Sequence, residues 1–172
     1  MVFVTTCWLS GWNKSVKSFL QPRSIVQPKN LCALFHVSIL SQGKIKERWL
    51  TLAMEEYMLR LRPHVTIELL WSRDDEHLLQ LVSRRTGCLY CLDPAGTTVN
   101  SDEFKKLLYR SFERGKVNFV IGGPEGLPKE LKSKGQLLSL SQLTFTHQMT
   151  RLILVEQIYR ATQIHKGTAY HK

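Results

Sequence analysis

No aspartate or glutamate occurs before Glu47 in this 172-residue chain, so the opening stretch carries positive charge alone. Nor does any window approach the roughly twenty uninterrupted apolar residues that a bilayer span needs. The best stretch, Leu152 to Val155, is bounded by Arg151 and Glu156, and a soluble protein is expected. Cysteine is sparse: Cys7, Cys32, Cys88 and Cys91 lack the spacing of a secreted disulfide scaffold, so reduced thiols are expected. Cys88 and Cys91 form a CxxC, but they sit within the apolar run Cys88-Leu89-Tyr90-Cys91-Leu92 with no second ligand pair, which favours a buried strand over zinc or redox chemistry. No metal is expected. There is neither a Gly-Lys-Ser/Thr phosphate loop nor a GxGxxG fingerprint, which excludes the commonest nucleotide-binding motifs. Internal repeats and low-complexity tracts are also missing.

What is present suits one α/β domain. A hydrophobic content of 43% in a chain of this length supplies a core. The formal charge is +10; removing Lys14, Lys17, Arg23 and Lys29 leaves 10 − 4 = +6 on residues 31–172. Such an excess suits either a polyanion such as RNA or a merely solvated basic surface. Residues 1–30 have no hydrophobic periodicity, two proline breaks at Pro22 and Pro28, and no acidic group. They read as an extension: an organelle presequence, a stretch translated upstream of the true start, or an added ordered segment. Residues 31–172 form the expected domain.

From Ala33 to Leu40 the residues are β-formers, and after Gly43 the apolar spacing becomes helical. Val65 to Trp71 reads as a strand and Asp74 to Val82 as a short helix. Cys88 to Leu92 reads as a third strand, ending in the turn Asp93-Pro94-Ala95-Gly96. Ser101 is the expected cap of a helix reaching Phe112, followed by strand Val117 to Ile121. A short basic helix should begin near Pro128. Strand Leu137 to Leu140 and a helix from His147 to Ile164, closed by Gly167, complete the order. Alternation of this kind implies a mostly parallel sheet with helices on both faces and right-handed crossovers.

In such a sheet ligands gather beyond the carboxyl ends of the strands. Three loops leave those ends, after Leu92, Ile121 and Leu140. In the second, Gly122, Gly123 and Gly126 remove side chains, which admits either a flat ligand or simply a tight turn. The third, Ser141-Gln142-Leu143-Thr144-Phe145-Thr146, mixes hydroxyls and an amide with two apolar side chains. That mixture suits an adenosine or a capped helix start, with Thr144 or Thr146 as the cap. The last helix is apolar over more of its circumference than one buried face requires, through Leu152, Ile153, Leu154, Val155, Ile158 and Ile164. Either a partner subunit or the same chain must cover it. Glu156 and Arg160 are spaced to pair.

Several segments together resemble one family. They are Gly43-Lys44-Ile45-Lys46-Glu47, Leu92-Asp93, Ile121-Gly122-Gly123-Pro124-Glu125-Gly126-Leu127, Leu138-Ser139-Leu140-Ser141 and Leu143-Thr144-Phe145 before His147-Gln148. Leu154 through Ala161, Gly167 and the closing Tyr170-His171-Lys172 complete the set. In order and spacing they resemble the RlmH methyltransferases of the SPOUT superfamily over roughly residues 33–172. The resemblance implies a deep trefoil knot in the C-terminal half and a homodimer. It further implies methylation of N3 of a pseudouridine in 23S ribosomal RNA, with S-adenosylmethionine as donor. The cofactor would lie against Leu92, Gly122, Gly123, Leu140, Ser141, Gln142, Leu143, Thr144 and Phe145. Catalytic candidates are His147, Tyr170 and His171; Arg151, Arg160 and Lys172 would face the RNA.

Methylating N3 requires loss of its proton and in-line placement against the methyl group, so positioning and stabilisation of the base anion should dominate. His147 or His171 is the expected proton acceptor. The chain departs from the family pattern at Thr146, where a proline is usual, in a shorter segment between Trp71 and Cys88, and in residues 1–30. The resemblance favours the assembled ribosome as substrate and a cytoplasmic location, or an organelle if residues 1–30 are a presequence. The competing readings are a non-catalytic, basic ribosome-associated protein with the same fold and a SPOUT enzyme acting on transfer RNA.

Overall fold

The computed structural model describes residues 34–171, without the side chain of His171; the expectations for residues 1–30, and those for Cys7, Cys32 and Lys172, lie outside the described residues. Five strands, β1 (Phe35–Gln42), β2 (Val65–Ser72), β3 (Cys88–Thr98), β4 (Val117–Ile121) and β5 (Gln136–Ser139), form one sheet in the order β2-β1-β4-β3-β5. Every pairing is parallel. Between and after them run α1 (Arg48–Leu61), α2 (Asp75–Ser83), α3 (Ser101–Glu113), α4 (Lys129–Lys134) and α5 (His147–His165), with a final 3-10 turn at Ala169–His171.

Strand side chains alternate, and the alternation divides the core in two. Val37 and Ile39 of β1, Tyr90 and Leu92 of β3, and Val117, Phe119 and Ile121 of β4 face the layer made by α1, α3 and α5. Leu40, Cys91 and Val120, one residue out of phase, meet Leu78 and Val82 of α2 and Leu131 of α4 on the other side. Both faces are therefore covered, as expected of a parallel sheet. The same alternation disposes of the CxxC. Cys88 packs on the first face and Cys91 on the second, so the two thiols cannot share one metal ion. Burial pushes the Cys91 thiol up to about 11, and it donates to the Leu131 carbonyl at 3.3 Å. Among the described residues no cluster of ligating side chains could hold a metal, and no helix is long and apolar enough to cross a membrane.

Three local expectations are corrected. Strand β3 does not stop at Leu92 but continues past Asp93-Pro94-Ala95-Gly96 to Thr98, its register with β5 shifting between Leu92 and Thr97. Asp93 accepts a hydrogen bond from the Ala95 N–H, which makes the bend. Gly96 then lies directly on β5, where a Cβ would sit 2.6 Å from the Leu138 nitrogen. The cap of α3 is Asn100, not Ser101: Asn100 accepts from the Glu103 N–H while Glu103 accepts from the Asn100 N–H, a reciprocal box. Strand β5 begins and ends one residue earlier than the sequence suggests.

Helix α5 starts at Thr146, whose hydroxyl accepts from the Met149 N–H, and it packs against both α1 and α3. Its apolar excess is thus largely covered within the chain. Residues 140–146 carry the chain from the β5 edge across the ends of β3 and β4 toward β1. At that crossing the knot implied by the resemblance would be tied.

Candidate active site

The bend within β3 at Leu92-Asp93-Pro94, the carboxyl ends of β4 and β5 and the start of α5 enclose a cleft of about 200 Å³, open to solvent. Of the residues expected to hold a cofactor, Leu92, Gly122, Gly123, Leu140, Ser141, Leu143, Thr144 and Phe145 line it; Gln142 does not. His147 and Thr150 complete the side formed by α5, and Asp93, Pro94, Ile121 and Pro124 add to the other walls. Sequence reasoning passed over these last residues, although Leu92-Asp93 at a strand end was the available signal.

Of the two roles open to the glycines, room for a flat ligand or a tight turn, the structure shows the turn at Gly122 and Gly126. A Cβ on Gly122 would lie 2.3 Å from the Gly126 carbonyl oxygen, so its hydrogen is demanded by the turn closing on itself. On Gly123 a Cβ would fall 1.6 Å from Oε1 of Gln42, so the end of β1 braces that peptide from behind. Only Gly126, at φ +89°, needs the left-handed region, and its N–H closes the turn onto the Gly123 carbonyl at 3.0 Å. The third loop is fastened by Ser139 donating to the Ser141 carbonyl and by the Leu143 N–H donating to the Ser141 hydroxyl. Leu143 remains 71% exposed and Phe145 37% exposed at the cleft, two large apolar side chains with no cover.

Charge is held in place around this apolar lining. The Lys132 ammonium, 2.7 Å from Asp93, holds that carboxyl below its ordinary range against the opposing effect of burial. Burial, helped by the charges of Arg151 and Lys46, pushes the His147 imidazole below its usual value. His147 is consequently neutral near pH 7 and able to accept a proton.

Arg151 was expected to face RNA; it is instead fully buried. Its Nε donates to the Ser41 hydroxyl at 2.8 Å, its Nη2 donates to the carbonyls of Gln42 and Gly43 at 2.5 and 2.7 Å, and its guanidinium rests 4.9 Å from the centre of the Trp71 ring. Burial lowers it to about 10, still a cation at neutral pH. It is bound inward because the carbonyls at and just past the end of β1, those of Gln42 and Gly43, accept its donors. Arg160 is engaged too, pairing with Glu156 at 2.7 Å and lying over the Tyr170 ring. Tyr170 donates to Glu156 and packs edge-on against Tyr159. Glu156, to which Tyr170 donates, stands nine positions beyond His147, about 13 Å along the helix axis, so within one chain Tyr170 and the cleft are apart.

A largely apolar wall interrupted by Asp93, the hydroxyls of Ser139, Ser141, Thr144 and Thr150, and His147 fits an adenosyl group carrying a charged sulfur: polar groups are at hand for the base and ribose, and Leu92, Leu138, Leu140 and Phe145 keep water away. Residues 35–171 match the model of a family described as SPOUT methyltransferase. The ribosomal RNA large subunit methyltransferase H of Protochlamydia amoebophila is 48% identical over 141 residues, spanning 81% of this chain and 100% of that one. The enzymes of the same name from Prochlorococcus marinus (strain MIT 9515) and Acetivibrio thermocellus are 39% and 37% identical, each over 79% of this chain and over 95% and 99% of their own lengths.

Proposed function

Because the chain belongs to the SPOUT methyltransferase family, and within it to the RlmH group, we propose that it methylates N3 of a pseudouridine in 23S ribosomal RNA from S-adenosylmethionine. The observation that carries the reading is the match of a rRNA methyltransferase along its whole length, at 48% identity. The cleft supports it, since Leu92-Asp93, residues 121–126, residues 138–141 and Leu143-Thr144-Phe145, which carry part of the resemblance, converge there.

When bound, the cofactor supplies a methyl group activated by a sulfonium. The chain's own residues do the rest. The bend within β3 and the loops after β4 and β5 would fix the donor's orientation, with Leu143 and Phe145 offering it apolar surface. His147, held neutral, takes the N3 proton directly or through a water. Lys46 and Arg151, the cations that depress His147, also favour the negative charge left on the base. Thr146 in place of proline does not loosen the start of α5, because its hydroxyl caps the helix.

The homodimer belongs to the same proposal. Trp49 and Leu52 are each 56% exposed and Leu59 is 54% exposed, and their spacing places them on one stripe of α1. A second copy seated there would cover that stripe and offer its own C-terminal end to this chain's cleft. Action on large-subunit RNA of a bacterial type supports a cytoplasmic location for the protein.

The test is transfer of labelled methyl from S-adenosylmethionine to large ribosomal subunits that lack the modification, with the labelled nucleotide mapped. Label on N3 of a pseudouridine is expected. RNA binding with no cofactor binding and no transfer would replace the enzyme by a non-catalytic RNA-binding protein.

A further inference from the structure

Among the described residues the expected RNA-facing arginines are turned to other tasks, which raises the question of what on this chain meets phosphate. The outer side of α3 offers an answer. Lys106, Arg110 and Arg114 recur every four residues, so each stands about 6 Å beyond the last along the helix axis on one side. All three are exposed, and none forms an ion pair with another described residue. They line a second cleft of about 360 Å³ together with Glu103, Tyr90, Leu107, Ser111 and Gln136. The one carboxylate there is committed to capping α3, where Glu103 accepts from the Asn100 N–H at 2.8 Å.

Gln136 is the first residue of edge strand β5, whose last residue, Ser139, lines the cofactor cleft. Four residues of strand span about 13 Å, so the basic cleft and the reaction cleft lie at opposite ends of one short strand. The lining favours nucleic acid over protein as occupant. Of the large apolar side chains exposed among the described residues none lies in it, and Leu107 in its wall is partly buried against the core, whereas a protein partner would need an apolar anchor at the centre of its interface.

We infer that the α3 face is a second RNA-docking surface, on which Lys106, Arg110 and Arg114 take successive phosphates of a strand whose modified base enters the cleft beyond β5. The inference rests on the methyltransferase reading but is tested apart from it. Lys106→Ala/Arg110→Ala/Arg114→Ala is compared with Arg62→Ala/Arg84→Ala/Lys129→Ala, which removes equal charge elsewhere. Binding of large-subunit RNA without cofactor is measured across salt concentrations, and S-adenosylmethionine binding and methyl-transfer kinetics are measured beside it.

Each lost phosphate contact removes about 0.7 from the salt slope on single-stranded RNA, so the α3 variant should lose about 2. Its KM for the RNA substrate should rise about tenfold or more at moderate salt, with kcat and cofactor affinity unchanged, while the control variant matches the parent. An unchanged slope and KM in the α3 variant would overturn the inference, even with full methyl transfer. Equal losses in both variants would overturn it as well, since diffuse charge would then suffice. Should the parent protein transfer no methyl group, the enzyme reading fails while the slope comparison still decides the docking surface. Selective loss of binding to an acidic protein, with RNA binding intact, would assign the face to that partner instead.

Discussion

Arg151→Met tests whether one buried cation holds the reaction cleft in shape. Methionine keeps most of the stem's packing and deletes the three donated bonds to Ser41, Gln42 and Gly43. The Ser41 hydroxyl can turn to a new partner; the Gln42 and Gly43 carbonyls are only part-buried, and losing a charged donor at each costs about 1–2 kcal/mol. Losing the stacking on Trp71 adds about 0.5–2 kcal/mol. Against this, the variant no longer desolvates a cation whose Nη1 has no partner, and that relief is substantial. A net destabilisation of about 2–4 kcal/mol follows, or about 5–15 °C in melting temperature for a chain of this size. Gln42 should then lose its hold behind Gly123, and S-adenosylmethionine affinity should fall about fivefold or more, roughly 1 kcal/mol. Thermal unfolding and calorimetric titration read both quantities. Arg151→Lys, which keeps charge without the planar fork, should recover only part of either. A methionine variant that melts within about 2 °C of the parent and binds cofactor equally well would refute the reasoning.

Gly122→Ala should unfold the β4 turn, because the new methyl meets the Gly126 backbone, and no second substitution should rescue it. Gly123→Ala meets only the end of the Gln42 side chain, so adding Gln42→Ala should restore folding and part of the cofactor affinity, both readable by melting and titration. If His147 accepts the proton, kcat/KM should fall on acidification only below the ordinary imidazole value of 6.5, and His147→Asn should abolish that acidic limb. The same depression means the folded chain binds fewer protons than the unfolded one between the lowered value and 6.5, so His147's share of stability is complete above 6.5 and declines as pH falls through that window. Trp49→Glu with Leu52→Glu should give monomers by sedimentation and lose methyl transfer while the chain stays folded. A dimeric, active double variant would move the interface off α1.

Much of the architecture could be read from residue order because the signals were local. Val117-Asn118-Phe119-Val120-Ile121 is flanked by breakers on both sides, and β4 has those bounds in the structure. The extension of β3 past Asp93-Pro94-Ala95-Gly96 was hidden because a proline and a glycine announce a turn, whereas here they shape a bulge against a strand that comes forty residues later. Arg151 was misjudged for a related reason. An arginine near the start of a helix reads as surface unless its partners are known, and those partners lie 108 to 110 residues away. The four-residue rhythm of Lys106, Arg110 and Arg114 was visible in the sequence, but only the edge position of β5 turns it into the wall of a cleft. Local grammar gave the elements; long-range pairing decided what their polar residues do.

The bond from Arg151 to Ser41 also carries a temporal consequence. On a translating ribosome adding about 5–20 residues each second, the end of β1 is made about 5–20 seconds before the arginine that satisfies it. β1 must likewise wait for β4 to occupy its second edge. For that interval the nascent chain holds a bare apolar strand, open to misplaced pairing, and the methyl-donor cleft is the last part of the molecule to become whole.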